Sequence, residues 1–328
     1  MTRQTDSPVL AVDIGGTKIM AAIISNDGRI LAKDIYPTLA GEGVSSVIGR
    51  LSAAMDSLLN QSNMEPTQLG AISIAAAGAV DSGRRLITTS PNLPGWSDVP
   101  LGDIVQDRHQ INTFLVNDAS AAALGEHRFG AGKGIDNLIL ITLGTGIGGG
   151  IVINGEMYDG VCGSAGEFGH MIIEINGQEC GCGNNGCLEA LASGTAVARD
   201  AVERISKGGQ SSLVKIVKGK IENITAEKVG EAAKNGDSLA LDVLSTAGRY
   251  LGIGMVSLVN IFNPEMIILG GGMATLGSLL IDPAERLVAE MAFPISAQAV
   301  RIVTAQLGNE AGVYGAAAFA FDSIRRSP

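Results

Sequence analysis

Three thiols and an imidazole are drawn together in this chain. Cys180-Gly-Cys182-Gly-Asn-Asn-Gly-Cys187 gathers three of the four cysteines on one glycine-rich loop, and His170 lies ten residues upstream of it. Three soft thiolates and one imidazole are the donor set of a closed tetrahedral zinc site with no position left for a catalytic water, so the metal would be structural. Reduced surface thiols or a disulfide pair are the alternatives, and the clustering argues against chance. Cys162 has no such company and is expected to be a buried small hydrophobe. If one ring nitrogen of His170 binds metal, the other is oriented for a second partner. Glu167 and Glu189 flank the set, so the loop would fix two carboxylates and an imidazole edge around a space suited to a polyhydroxylated ligand. Ordinary helix-end or surface charges are the alternative for both glutamates.

Two further stretches carry anion chemistry. Val9 to Ile14 is an apolar run of buried-strand type, closed by Asp13-Ile-Gly-Gly-Thr-Lys18 and followed by a second run, Ile19 to Ser25. That pattern predicts strand, turn, strand. Gly15 and Gly16 expose backbone N–H groups as an anion nest, Thr17 adds a hydroxyl and Lys18 a positive charge. Asp13 is placed to hold a hydrated magnesium ion near a bound phosphate; a plain hairpin also uses Gly-Gly. Asn137 to Leu143 leads into a second such turn, Gly144-Thr145-Gly146-Ile-Gly-Gly149-Gly. Its glycines match the dinucleotide fingerprint in spacing, but a strand and turn follow where that fingerprint must open a helix, which excludes it. Two nests in one chain suggest a duplicated architecture with a nucleotide held between them. Met266 to Leu269 ends in Gly270-Gly271-Gly272-Met273, where bare backbone could lie flat against an adenine or ribose.

The elements that must position these groups follow an α/β pattern. Ile111 to Val116 reads as a strand, and Asn117-Asp118 opens an alanine-rich helix running to about Phe129. A carboxylate there is stabilised in its ionised form and points where α/β proteins put ligands. General base and helix N-cap both stand for Asp118. Leu69 to Ala76 is a strand ending at Ala77-Gly78. Ser90-Pro-Asn-Leu-Pro-Gly-Trp96 is a loop with Asn92 and Trp96 as its side chains of chemical interest, although Asn92 on composition alone is a turn former. Helices are expected over Leu188 to Ile205, Thr225 to Asn235 and Ser238 to Phe262, with a mobile polar connection containing partial helix from Ser206 to Asn223.

At 328 residues the chain suits two domains. A net charge of −10 opposes a nucleic-acid partner. Arg3 precedes an apolar run that Asp13 cuts short, so no signal peptide is expected, and no membrane span, because the uncharged run 138–153 is broken by glycines. A reducing cytoplasm is the expected location.

Taken together the motifs resemble the ROK sugar kinases (repressor, open reading frame, kinase) over nearly the whole chain. Asp13-Ile-Gly-Gly-Thr17 is similar to the first phosphate motif, Leu143-Gly-Thr-Gly-Ile-Gly-Gly149 to the second and Gly270-Gly-Gly-Met273 to the adenosine motif. Ala165-Gly-Glu-Phe-Gly-His170 with Cys180-x-Cys182-x₄-Cys187-Leu-Glu189 is similar to the zinc and sugar signature. The resemblance implies an α/β, two-lobed actin-like fold (sugar kinase/Hsp70 ATPase, ribonuclease H-like) with a nucleotide and sugar cleft between lobes. The smaller lobe would span 1–117 plus about 310–328, and the larger, with the zinc loop, 118–309. It implies Asp118 as catalytic base and Gly78, Asn92, Asn117, Glu167, His170 and Glu189 as sugar contacts, with Phe168 near the choice of substrate. ATP with Mg2+, a structural Zn2+ and a homodimer or higher homo-oligomer follow from the same resemblance, as does phosphorylation of glucose at the head of glycolysis. N-acetylmannosamine, N-acetylglucosamine and fructose are the other substrates, and a sugar-sensing regulator is the non-enzyme alternative. Family repressors carry a helix-turn-helix before the first phosphate motif, which here begins at Asp13, so an enzyme is expected.

Overall fold

The computed structural model describes residues 7–326. Arg3, used above in reading the N-terminus, lies outside the described residues. The chain opens with an antiparallel meander, β1 (Val9–Ile14), β2 (Lys18–Ile24) and β3 (Ile30–Pro37). Helix α1 (Val44–Gln61) returns it to β4 (Ala71–Ala76), parallel to β1. A small antiparallel sheet follows, β5 (Ala79–Asp81), β6 (Leu86–Thr89) and β7 (Ser97–Val99), then α2 (Leu101–His109). The sequence hid the three strands because runs of three or four residues are too short to show a period. The proline-rich loop joins β6 to β7, with Leu93 and Trp96 buried as its anchors and Asn92 exposed. β8 (Thr113–Asn117) runs parallel to β4 and leads into α3 (Asp118–Phe129).

After β9 (Leu138–Leu143), β10 (Ile147–Ile153) and β11 (Glu156–Met157), the cysteine loop precedes α4 (Leu188–Ala192) and α5 (Gly194–Ser206). One continuous helix was expected there. Ser193 interrupts it: extended in backbone, it caps α5 by accepting from Ala196 N–H. The polar stretch that follows holds α6 (Leu213–Ile216) and leads to α7 (Ala226–Lys234) and α8 (Ser238–Phe262). Next come β12 (Met266–Gly270), α9 (Ser278–Met291), α10 (Pro294–Ala299), β13 (Arg301–Thr304) and α11 (Ala311–Arg326). By length and composition α8 could cross a membrane, but half of its most apolar window is buried, and it packs against α9.

The duplication suggested by the two glycine turns is present in the sheets. Their orders are β3-β2-β1-β4-β8 and β11-β10-β9-β12-β13, the same topology traced twice. In the first sheet both faces are covered, and side chains alternate accordingly. Leu10, Val12 and Ile14 pack with Leu51, Met55 and Leu58 of α1, while the smaller Val9 and Ala11 pack with Val313, Ala316 and Ala317 of α11. Each large side chain so buried contributes roughly 1.5–3 kcal/mol.

Two compact units result: Met1–Asp136, Gly150–Gly166 and Gln306–Pro328 in one, Asn137–Gly149 and Glu167–Ala305 in the other. Asp118 and α3 therefore fall in the first unit, where the expected boundary lay at 117/118. The reason is packing, since α3 makes its main contact with α11.

Candidate active site

In the first unit the candidate groups collect at the carboxyl ends of the central strands, where parallel sheets leave room for ligands. Asn117, not Asp118, is the cap of α3: its Oδ1 accepts from the N–H groups of Ala119 and Ser120, both at 3.0 Å. Its Nδ2 donates to the Gly78 carbonyl at 2.9 Å and to Asp118 Oδ1 at 3.2 Å. Asp118 Oδ1 also accepts from Ala119 N–H at 2.8 Å. The cap therefore falls to Asn117, and Asp118 follows it in the first turn of α3. Gly78 has φ +110°, and a Cβ there would run into Thr89 and Ser90, so the turn that meets Asn117 requires glycine.

The first glycine turn has its carbonyls turned inward. Gly15 N–H donates to Lys18 O at 3.0 Å, the Thr38 hydroxyl donates to Gly15 O at 2.7 Å, and Thr38 N–H donates to Thr17 O at 2.9 Å. The Asn92 backbone lies against Gly16. Asp13, half-buried at the base of the turn, has its carboxyl pushed up to about 7 by burial and then by the charge of Asp118, with Lys18 pulling the other way. Its space depends on Gly312, where a Cβ would stand 2.5 Å from Asp13 Cγ.

In the second unit the other glycine turn repeats the device. Gly144 N–H donates to Gly146 O at 2.9 Å, Gly194 N–H donates to Gly144 O at 2.8 Å, and the Thr195 hydroxyl donates to Thr145 O at 2.9 Å. Gly271 abuts the backbone of Leu143, so Gly270–Gly272 lies beside this turn. Together they border a cavity of about 810 Å³ whose far walls include Ile224, Glu227, Glu231 and Lys234. That volume is within the range of small-molecule sites.

His170, Cys180, Cys182 and Cys187 place their donor atoms within 4.8 Å of one another. Cys180 Sγ is 3.7 Å from His170 Nδ1 and Cys182 Sγ is 3.7 Å from Cys187 Sγ. A disulfide needs about 2.05 Å, whereas the edges of a tetrahedron with metal bonds of about 2.0–2.3 Å are about 3.5–3.8 Å. The donor set therefore fits zinc. Burial pushes the Cys187 thiol up to about 12, while the exposed Cys182 is held near 7, chiefly by the Asn184 backbone N–H. With Nδ1 facing the thiols, His170 Nε2 faces Glu167 Oε2 at 4.0 Å. Glu189 Oε2 accepts from Ile147 N–H at 2.8 Å. Phe168 is buried and packs edge-on against Phe262, with ring centroids 6.5 Å apart.

The sequence pattern of the ROK family matches residues 9–323. The chain belongs to the ROK family. A glucokinase of Thermotoga maritima is 37% identical to it over 316 residues, 96% of this chain and 98% of that one. A ROK family glucokinase from Streptomyces griseus, solved with glucose and AMPPNP, superposes with a TM-score of 0.82 at 37% identity, covering 96% of this chain and 99% of that one. A xylose repressor of Bacillus subtilis is 29% identical over 313 residues, 95% of this chain and 77% of the repressor. The fold of this ROK chain is the actin-like sugar kinase fold of the solved ROK glucokinase and of a ROK hexokinase from Thermus thermophilus.

One expectation for this ROK chain is corrected. Cys162 is exposed, on a loop where its neighbour Val161 is also fully exposed. Sequence reasoning missed Thr38, Gly194, Thr195 and Gly312, whose roles come from contacts distant in the chain. Glu227 and Glu231 share a face of α7, a spacing too common on helices to mark a pocket.

The raised Asp13 carboxyl fixes a pH dependence. Its ordinary value is 3.8, so between about pH 4 and 7 the folded chain holds a proton that the unfolded chain releases. This contribution to stability is full below about pH 4 and lost as pH rises through about 7; it amounts to about 4 kcal/mol. In magnesium-free protein, wild type should lose stability relative to Asp13→Asn between pH 5 and 8. Magnesium added at pH 8 should return part of it by favouring the carboxylate. Parallel melting curves for the two proteins across that range would refute the assignment.

Proposed function

We propose that the protein is an ATP-dependent hexose kinase that transfers the γ-phosphoryl group of ATP to the 6-hydroxyl of glucose. The observation that carries this is Asp118, held by Asn117 at a strand end beside the charge of Asp13 and the first glycine turn. In this reading Asp118 accepts the proton of the sugar's primary hydroxyl, and that oxygen attacks the γ-phosphoryl group in line. Gly15, Gly16, Thr17 and Lys18 form the phosphate turn: Gly15 braces it through its N–H to Lys18 O, while the N–H groups of Gly16 and Thr17, the Thr17 hydroxyl and the Lys18 charge would hold phosphate. Gly144, Thr145 and Gly146 do the same in the second unit, and Gly270–Gly272 with the adjoining cavity takes the nucleoside. Mg2+ held by Asp13 would supply positive charge to the phosphates.

His170, Cys180, Cys182 and Cys187 would hold a structural Zn2+, orienting His170 Nε2 and Glu167 toward sugar hydroxyls. Glu189, Gly78, Asn92 and Asn117 complete the proposed sugar contacts, Asn117 with its amide already committed to its neighbours. Three metal-bound thiolates suit a reducing cytoplasm. A homo-oligomer belongs to the same proposal; the exposed Ile261, Met291, Phe293 and Ile295 near the ends of α8–α10 offer it an apolar surface.

The likeness to a glucokinase favours glucose, and the more distant likeness to a xylose repressor keeps a sugar-sensing regulator as the second reading. A coupled ADP-release assay over hexoses and N-acetylhexosamines separates them. Turnover of glucose above the others is expected. Preference for an acetamido sugar would change the substrate and keep the chemistry, and zinc-loaded protein that binds sugar yet releases no ADP would replace the kinase with the regulator.

A further inference from the structure

We propose that Glu189 is a positioning residue that holds the second glycine turn in the shape a nucleotide phosphate needs, and so ties that turn to the cysteine and histidine cluster. The proposal rests on the kinase reading above, in which Gly144–Gly146 grips phosphate.

Glu189 stands two residues after Cys187, in the first turn of α4, and its Oε2 accepts from Ile147 N–H, the residue directly after the turn, at 2.8 Å. The fit is close, because a Cβ on Gly146 would collide with the same carboxylate. Its other oxygen, Oε1, lies 3.9 Å from Cys180 Sγ. One carboxylate therefore spans from the thiol cluster to the phosphate turn. The break at Ser193 adds three more ties from the same segment, Gly194 N–H to Gly144 O and both the Thr195 hydroxyl and its N–H to Thr145 O. With the turn's carbonyls occupied in this way, its shape is set by the chain that directly follows the third cysteine. Phosphate binding by backbone N–H groups depends on such preorganisation, since a loose turn must be ordered at the expense of affinity.

The test is ADP binding by calorimetry, without sugar, on the full chain with its metal content measured. Glu189→Ala removes the acceptor and should weaken ADP about 10-fold or more, the usual scale for a hydrogen bond to a charged group. Glu189→Gln keeps an oxygen facing Ile147 N–H and should stay within about 3-fold of wild type. A residue that only contacts sugar would move neither value. Thr195→Val leaves Glu189 in place and should weaken ADP about 3-fold by loosening the same turn; it decides the matter if Glu189→Ala fails to fold. Wild-type affinity in folded Glu189→Ala, or in Thr195→Val where that variant decides, would overturn the strut while leaving the kinase reading intact. Wild-type protein that binds no ADP would overturn the reading beneath it and the strut as well.

Discussion

Asp118→Asn should lower kcat by about 10²- to 10⁴-fold while leaving the fold and nucleotide affinity close to wild type. The size of the effect comes from the proton: an amide cannot accept it, and the attacking hydroxyl is a poor nucleophile until it is removed. The structure explains why the variant should fold. Asn117 caps α3 through its own side chain, and an Asn at 118 keeps an oxygen for the Ala119 N–H that Asp118 now accepts. Loss of the 118 charge also removes one of the influences raising Asp13, so the Asp13 carboxyl should titrate lower in the variant than in wild type. Steady-state kinetics with thermal melts on the same preparations check both parts. A variant with near wild-type kcat would remove Asp118 from the role of base.

Cys187→Ala should cost on the order of 5 kcal/mol, seen as a fall of roughly 10–20 °C in the melting of the second unit and loss of the bound metal. Cys187 is fully buried and its thiol is pushed up to about 12 by desolvation, so without a cation this position is a protonated thiol. Zinc held there would reverse that preference and close the loop by a bond that alanine cannot make. Cys162→Ser is the internal control. That cysteine is exposed and lies in the other unit, so its replacement should leave metal content and melting within error of wild type. Calorimetry and elemental analysis of wild type and both variants decide it. Retention of one zinc per chain with an unchanged melt in Cys187→Ala would exclude the four-ligand site.

What the sequence determined alone was local in the chain. The spacing of Cys180, Cys182 and Cys187 on a glycine-rich loop, the two strand-turn-strand glycine motifs and the limits of α8 at Ser238 and Phe262 each depend on residues a few positions apart. Backbone preferences and donor chemistry act over that distance, so they can be read without the fold. The duplication itself was legible for the same reason, because each copy is announced by its own glycine turn, whereas the strand order of the two sheets came only from the fold. The tertiary structure decided everything that required a choice between equivalent local options. Asn117 and Asp118 are both good caps, and the Gly78 carbonyl facing the Asn117 amide is part of what gives the cap to Asn117. A helix through Ser193 satisfies local propensity, yet the interrupted form lets Gly194 and Thr195 reach the carbonyls of a turn about fifty residues earlier. Thr38, Gly312 and the carboxylate of Glu189 act in the same way. Each supports a site residue across a long stretch of chain, and only packing brings such partners into hydrogen-bonding or van der Waals range.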